Sequence, residues 1–153
     1  MAQFSTDSDL LEFEPDIKTY GIQDFETDPN LHQKSYDDIL RLLNIRWAPT
    51  YSIGRYDASV LDGTIIKVDP NKLQNSQFTR ASVYHVLGYY IYPRLSTFDP
   101  AGDAFREKMT YYVNKFNEEF DFILQEGVKY DADSDGNITD SEQQTFYHSR
   151  LQR

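Results

Sequence analysis

The sequence predicts a mainly α-helical fold: a small helical bundle carrying a short β-hairpin insertion and a C-terminal EF-hand-like loop. Three observations predict it. Apolar residues recur at helical spacing over 36–47, 77–92 and 103–126. Asp62-Gly63 separates Ser59-Val60-Leu61 from Thr64-Ile65-Ile66-Lys67-Val68, the pattern of a tight hairpin. The acidic stretch 131-DADSDGNITDSE-142 has the spacing of a calcium loop.

Residues 7–14 open a short helix with acids in its first turn, and Pro15 limits it or starts a second turn. Residues 26–34 read as a loop. Ser35 is the expected N-cap of a helix over 36–47, with Asp37 and Asp38 complementing its dipole and Ile39, Leu42, Leu43 and Trp47 forming its apolar face. Pro49 stops it. Residues 50–76 form the expected β excursion. Helix returns over 77–92, where Gly88 suggests close packing of another helix, and Pro93 is expected to end it. After a loop at 94–102, the longest helix runs over 103–126 and closes at Gly127 as a C′ residue.

Composition narrows the function. With 153 residues, 39% hydrophobic and 15% aromatic, the chain can build one modest core, so a single domain over 1–153 is expected. There is no cysteine, hence no disulfide framework and no thiolate chemistry. The first residues lack the basic and apolar regions of a secretory signal, and no stretch suits a membrane span. A net charge of −10 argues against general binding to phosphate backbones. The acids are uneven: residues 1–30 set eight against a single Lys18, and 131–142 hold five more.

In the loop, Asp131, Asp133 and Asp135 take positions 1, 3 and 5. Gly136 stands at position 6, where the chain must turn sharply. Asn137 at position 7 offers its carbonyl, Thr139 at position 9 acts through a water, and Glu142 at position 12 supplies a bidentate carboxylate. Hard oxygens in this order suit Ca²⁺. With one loop and two methionines, a paired calcium switch is a poor reading and a structural clip a better one. After the loop, Phe146, Tyr147, Arg150, Leu151 and Arg153 make a short basic, partly apolar tail with too few residues to hold a helix alone.

Nothing suggests catalysis. His32, His85 and His148 are far apart in sequence, and His85 reads as a core-edge residue. Adjacent Glu118 and Glu119 point to different sides of their helix. No nucleotide, nucleophile-elbow or zinc-protease motif occurs. The tyrosines at 89, 90, 92, 111 and 112 read equally as core edge or as interface.

The run 10-LLEFEPDI-17, 20-YGIQDF-25, 37-DDILRLLNIRW-47, 78-FTRASVYHVLGYYIYPRLS-96, 105-FREKMTYYVNKFNEEFDFIL-124 and 127-GVKYDADSDGNITDSE-142 resembles the head-to-tail adaptor (connector, head-completion) proteins of tailed bacteriophages. The resemblance covers most of the chain; 50–76 is the part that aligns least. It implies a structural subunit of the virion neck, assembled in the host cytoplasm. Such subunits form a ring, usually of twelve copies, beneath the portal protein. The ring meets the next neck or tail-completion protein and lets DNA pass without sequence-specific contact. The resemblance implies that the tail, with Phe146, Tyr147, Arg150, Leu151 and Arg153, docks on the portal. A negative channel wall would avoid trapping the sliding DNA. The other reading of the residues is a monomeric calcium-binding module that recruits a partner.

Overall fold

The structure, a computed structural model, describes residues 2–22, 24–27, 29–49, 67–97 and 99–143. The chain is mainly helical. It divides into two compact units, residues 1–37 with 75–122, and residues 38–74 with 123–153. No described helix is long and apolar enough to cross a membrane.

The first unit contains α1 (Asp7–Phe13), a 3₁₀ turn (Ile17–Tyr20), the start of α2 (Leu31–Arg46), α3 (Thr79–His85), a π segment (Val86–Ile91), α4 (Tyr92–Leu95) and most of α5 (Ala104–Glu126). Asp9 accepts the Thr6 N–H at 2.7 Å, satisfying a donor where α1 begins. The expected start of α2 needs correction. The N-cap is Asn30, whose Oδ1 accepts from Gln33 N at 2.9 Å, so the helix begins at Leu31 and not after Ser35. Ser35 lies inside α2, fully buried.

The helix around Pro93 also departs from expectation. Proline lacks an N–H and its ring crowds the carbonyl four residues back. Here the backbone widens first: Tyr92 N donates to Leu87 O, five residues back, in a π turn. Pro93 then falls in the first turn of α4, where no N–H is required, and the helical path continues to Leu95. Gly88 sits within this π segment. A Cβ there would stand 2.8 Å from the Val113 backbone nitrogen, so α5 passes as close as the sequence suggested.

Leu10, Ile17, Phe25, Leu87, Ile91 and Tyr92 are buried in the core of this unit. Tyr92 stacks on Tyr112 with centroids 5.7 Å apart and an interplanar angle of 8°. Glu14, just past α1, accepts from Tyr112 Oη at 2.7 Å and from Lys108 Nζ at 3.0 Å, which ties α1 to α5. Burial and then the Glu14 carboxylate push the Tyr112 hydroxyl's pKa upward. The tyrosine cluster is split: Tyr92 and Tyr112 are core, whereas Tyr89 and Tyr111 are exposed.

The second unit contains the rest of α2, 3₁₀ turn Pro70–Lys72, the end of α5 and α6 (Asp140–Gln143). Ile39, Leu43, Trp47, Leu73, Ile123 and Val128 are among its buried apolar residues. Trp47 meets the edge of Tyr130 at 5.3 Å. The turn of the expected hairpin and nearly all of its arms, residues 50–66, lie outside the described residues. The described part of 50–76 contains no strand: 67–69 are irregular, two 3₁₀ turns follow, and Leu73 makes a single antiparallel bridge to Tyr130. Asp69 sets the first of these turns by accepting from Asn71 N, and Pro70 cannot donate to a ladder.

Candidate metal centre

The loop is reached from α5 through a sharp stop. Gly127 has φ +101°, the left-handed conformation that glycine adopts without a Cβ penalty. The connector 127–130 is then fastened to residues 72–74. Gln74 N donates to Lys129 O at 3.1 Å, and Asp131 N donates to Lys72 O at 2.9 Å. Lys72 Nζ donates to Ala132 O at 2.9 Å, and Tyr130 Oη accepts from Asp69 N at 3.2 Å. The far end is fastened as well, where Gln143 Nε2 donates to the carbonyls of Glu126 and Gly127 at 3.4 and 3.3 Å.

Inside the loop the aspartates turn the chain. Asp131 accepts from Asp135 N and Gly136 N, at 3.2 and 3.0 Å, and Asp133 accepts from Asp135 N at 3.1 Å. Gly136 takes φ +87°, as the sixth position of such a loop requires. Glu142, 6% exposed, reaches back across the turn. Its Oε1 accepts from Ala132 N at 2.9 Å and its Oε2 from Thr139 N and Oγ1 at 2.8 and 2.9 Å.

Asp131, Asp133 and Glu142 thereby place carboxylate oxygens within 4.8 Å of one another. Asp135 stands outside this carboxylate grouping. Asp135 Oδ1 accepts from Asn137 N at 2.7 Å, Thr139 is engaged with Glu142 and Ser141, and Asn137 serves as the donor to Asp135. Electrostatics separate the acids. The Thr139 N–H and O–H hold the Glu142 carboxyl below its ordinary range. At Asp133 the bond from Asp135 N pulls downward, but desolvation and the Asp135 and Glu142 charges prevail and raise it. The cluster is three hard oxygens under mutual repulsion, a donor set that a cation relieves and that suits Ca²⁺ or another hard divalent ion.

In an EF-hand the loop is flanked directly by two helices. Here, as Gly127 suggested, α5 stops at Glu126 and a connector intervenes, and Tyr130 pairs with Leu73. Sequence reasoning missed Lys72 and Gln143 as the residues that brace the loop. Both are polar residues without a motif, and the pairing of 72–74 with 129–131 is a long-range contact with no local signal. Phe146, Tyr147, Arg150, Leu151 and Arg153 lie outside the described residues. No protein-family model, curated protein or solved structure matches the chain.

Proposed function

We propose that the chain is a non-catalytic assembly subunit of a tailed-phage neck. It would form a ring beneath the portal that extends the DNA channel, with a Ca²⁺-type loop setting the direction of the C-terminal segment. The phage assignment rests on the sequence resemblance. The observation that carries the clip is the bracing of the loop at both ends: residues 72–74 hold its entrance, and Gln143 holds its exit on the carbonyls that end α5. A chain end that must be aimed at a partner needs a fixed point, and a loop closed this way supplies one. In this reading the arm within 50–76 forms its hairpin against a neighbouring subunit or the next neck ring, and the tail residues Phe146, Tyr147, Arg150, Leu151 and Arg153 dock on the portal. The acidic surface suits a DNA conduit.

The test is reconstitution with the portal protein of the same genome, followed by negative-stain imaging. A ring on the portal is expected from the full chain. Deletion of residues 145–153 removes no loop ligand and is expected to abolish attachment while Ca²⁺ uptake persists. Attachment of the truncated chain at full strength would refute the docking role of the tail. The convergence of Asp131, Asp133 and Glu142 also favours a second reading, a monomeric calcium-binding module. Native mass that stays monomeric with portal present, together with Ca²⁺-dependent capture of another protein, would favour that module.

A further inference from the structure

A second group of ligand-type side chains lies in the first unit, and the loop plays no part in it. His32 is fully buried on α2. Its Nε2 faces Asp7 Oδ1 at 3.1 Å, and its Nδ1 faces Ser5 Oγ at 2.7 Å. Glu26 accepts the Asp7 N–H at 2.6 Å, which orients its carboxylate toward the same point. Ligand atoms of Asp7, Glu26 and His32 all lie within 4.8 Å of one another. We infer that these three residues form a binding site for a borderline divalent transition ion of the Zn²⁺ class, distinct in chemistry from the all-oxygen loop.

Three features support this over a merely structural polar network. The first is convergence: three ligand-type side chains from separate stretches of the chain bring their ligand atoms within 4.8 Å of one another, as a three-ligand Zn²⁺ site requires.

The second feature is the hydroxyl relay behind the ring. Without metal, Nε2–H donates to Asp7, Nδ1 accepts from Ser5, Ser5 accepts from Ser82 Oγ at 2.7 Å, and Ser35 donates to Ser82 Oγ at 3.3 Å. Every donor in that chain can reverse. Nδ1–H then donates to Ser5, Ser5 to Ser82, Ser82 to Ser35, and Ser35 to the Ser82 carbonyl at 3.5 Å. The reversed chain frees the Nε2 lone pair for a metal without orphaning a buried group. A hydrogen-bonded far nitrogen is also what a metal-ligating histidine requires.

The third feature is charge. Asp7, Asp9 and Glu26 surround the ring, while Lys18 Nζ at 3.0 Å from Asp7 Oδ2 is the ammonium that answers them among the described residues. The Asp7 side chain is 14% exposed and that of Lys18 36%, which gives an ion a route in and lets the lysine swing aside.

The probe is Zn²⁺ itself, titrated calorimetrically into the full chain carrying Glu142→Gln, so that the loop does not contribute. Nitrogen-15 NMR of the His32 ring is read in parallel. One Zn²⁺ is expected per chain, with the His32 tautomer passing from Nε2–H to Nδ1–H on saturation. Adding Glu26→Gln, which can still accept the Asp7 N–H, is expected to keep the melting temperature and weaken Zn²⁺ binding by at least about tenfold, as loss of a ligand charge should. Replacing Lys18 with Met is expected to tighten binding by removing the competing cation. Unchanged affinity in the Glu26→Gln protein, or a His32 tautomer that does not move at saturating Zn²⁺, overturns the site.

Discussion

Gly127→Ala tests the central geometric claim, that the end of α5 and the exit of the loop are in contact. Two costs add. Alanine at φ +101° leaves the ordinary range for a side-chain-bearing residue, which costs about 1–2 kcal/mol. The new Cβ would also collide with the backbone carbonyl of Gln143. A backbone carbonyl cannot rotate away as a side chain can, so the exit segment must move, at about 1–3 kcal/mol for a forced displacement of packed structure. The sum, about 2–5 kcal/mol, is a large part of a typical domain's stability. Gln143 follows Glu142 directly, so the displacement also drags the carboxylate that closes the loop. Urea denaturation with and without Ca²⁺ is the assay. A stability loss in that range is expected, together with weaker Ca²⁺ stabilisation. Gly127→Asn separates the two costs, because asparagine tolerates positive φ but keeps the Cβ. A loss under about 0.5 kcal/mol for alanine, the range of unremarkable surface substitutions, would refute the contact.

Glu142→Gln is expected to lose most Ca²⁺ stabilisation; wild type should gain about 2.7 kcal/mol at a Ca²⁺ concentration one hundred times Kd, and calorimetry showing no uptake by wild type at millimolar Ca²⁺ would sink the loop as a site. Phe116→Ala is expected to cost about 3–5 kcal/mol, since Phe116 is 2% exposed and its truncation leaves a cavity; a change under about 1 kcal/mol would mean the ring is not core. Asp103 stands before α5 and accepts from Ser96 Oγ, Thr97 N and Phe105 N, of which the Ser96 bond does most to bring its carboxyl down to about 2 from an ordinary value near 3.8. A folded-state pKa below the unfolded one gives stability that is present above pH 4 and lost as pH falls toward 2. Asp103→Asn should therefore lower the melting temperature at neutral pH and flatten its decline between pH 4 and 2. An unchanged decline would show that Asp103 is not the responsible group.

The helices were legible because their signals are local. The apolar spacing of α5 and its end at Gly127 follow from residues a few positions apart, and Gly88 alone marked a close approach without naming Val113 as the neighbour; all three appear in the structure. The errors fall where a neighbour in sequence was the wrong partner. Ser35 looks like a cap, but Asn30 takes that role, and Ser35 is drawn into a buried hydroxyl chain with Ser82. Pro93 looks like a stop, but the π turn before it absorbs the clash. Within the loop, the spacing located Asp131, Asp133 and Glu142 correctly as a converging group. It could not reveal that Asp135 stands outside the mutual grouping with its Oδ1 turned to Asn137 N, because that choice depends on backbone torsions. The His32 cluster was invisible for a similar reason: its members come from α1, an irregular loop and α2, with no fixed spacing among them.

A lone calcium-type loop is usually hard to explain, because paired loops stabilise each other and work as switches. In this chain the role of the second loop falls to an ordinary segment. Residues 72–74 offer the two backbone hydrogen bonds that make the Leu73–Tyr130 bridge, and an ammonium on the Ala132 carbonyl. That brace is made by protein groups alone. In the proposed reading, an ion would act on the three carboxylates, relieving their repulsion and fixing their positions. Bound to a loop already braced in this way, the ion would add stiffness at its exit more than a change of shape. Such stiffness would suit the proposed role, in which the segment after the loop is held at one angle while an assembly forms around it, better than it would suit a switch.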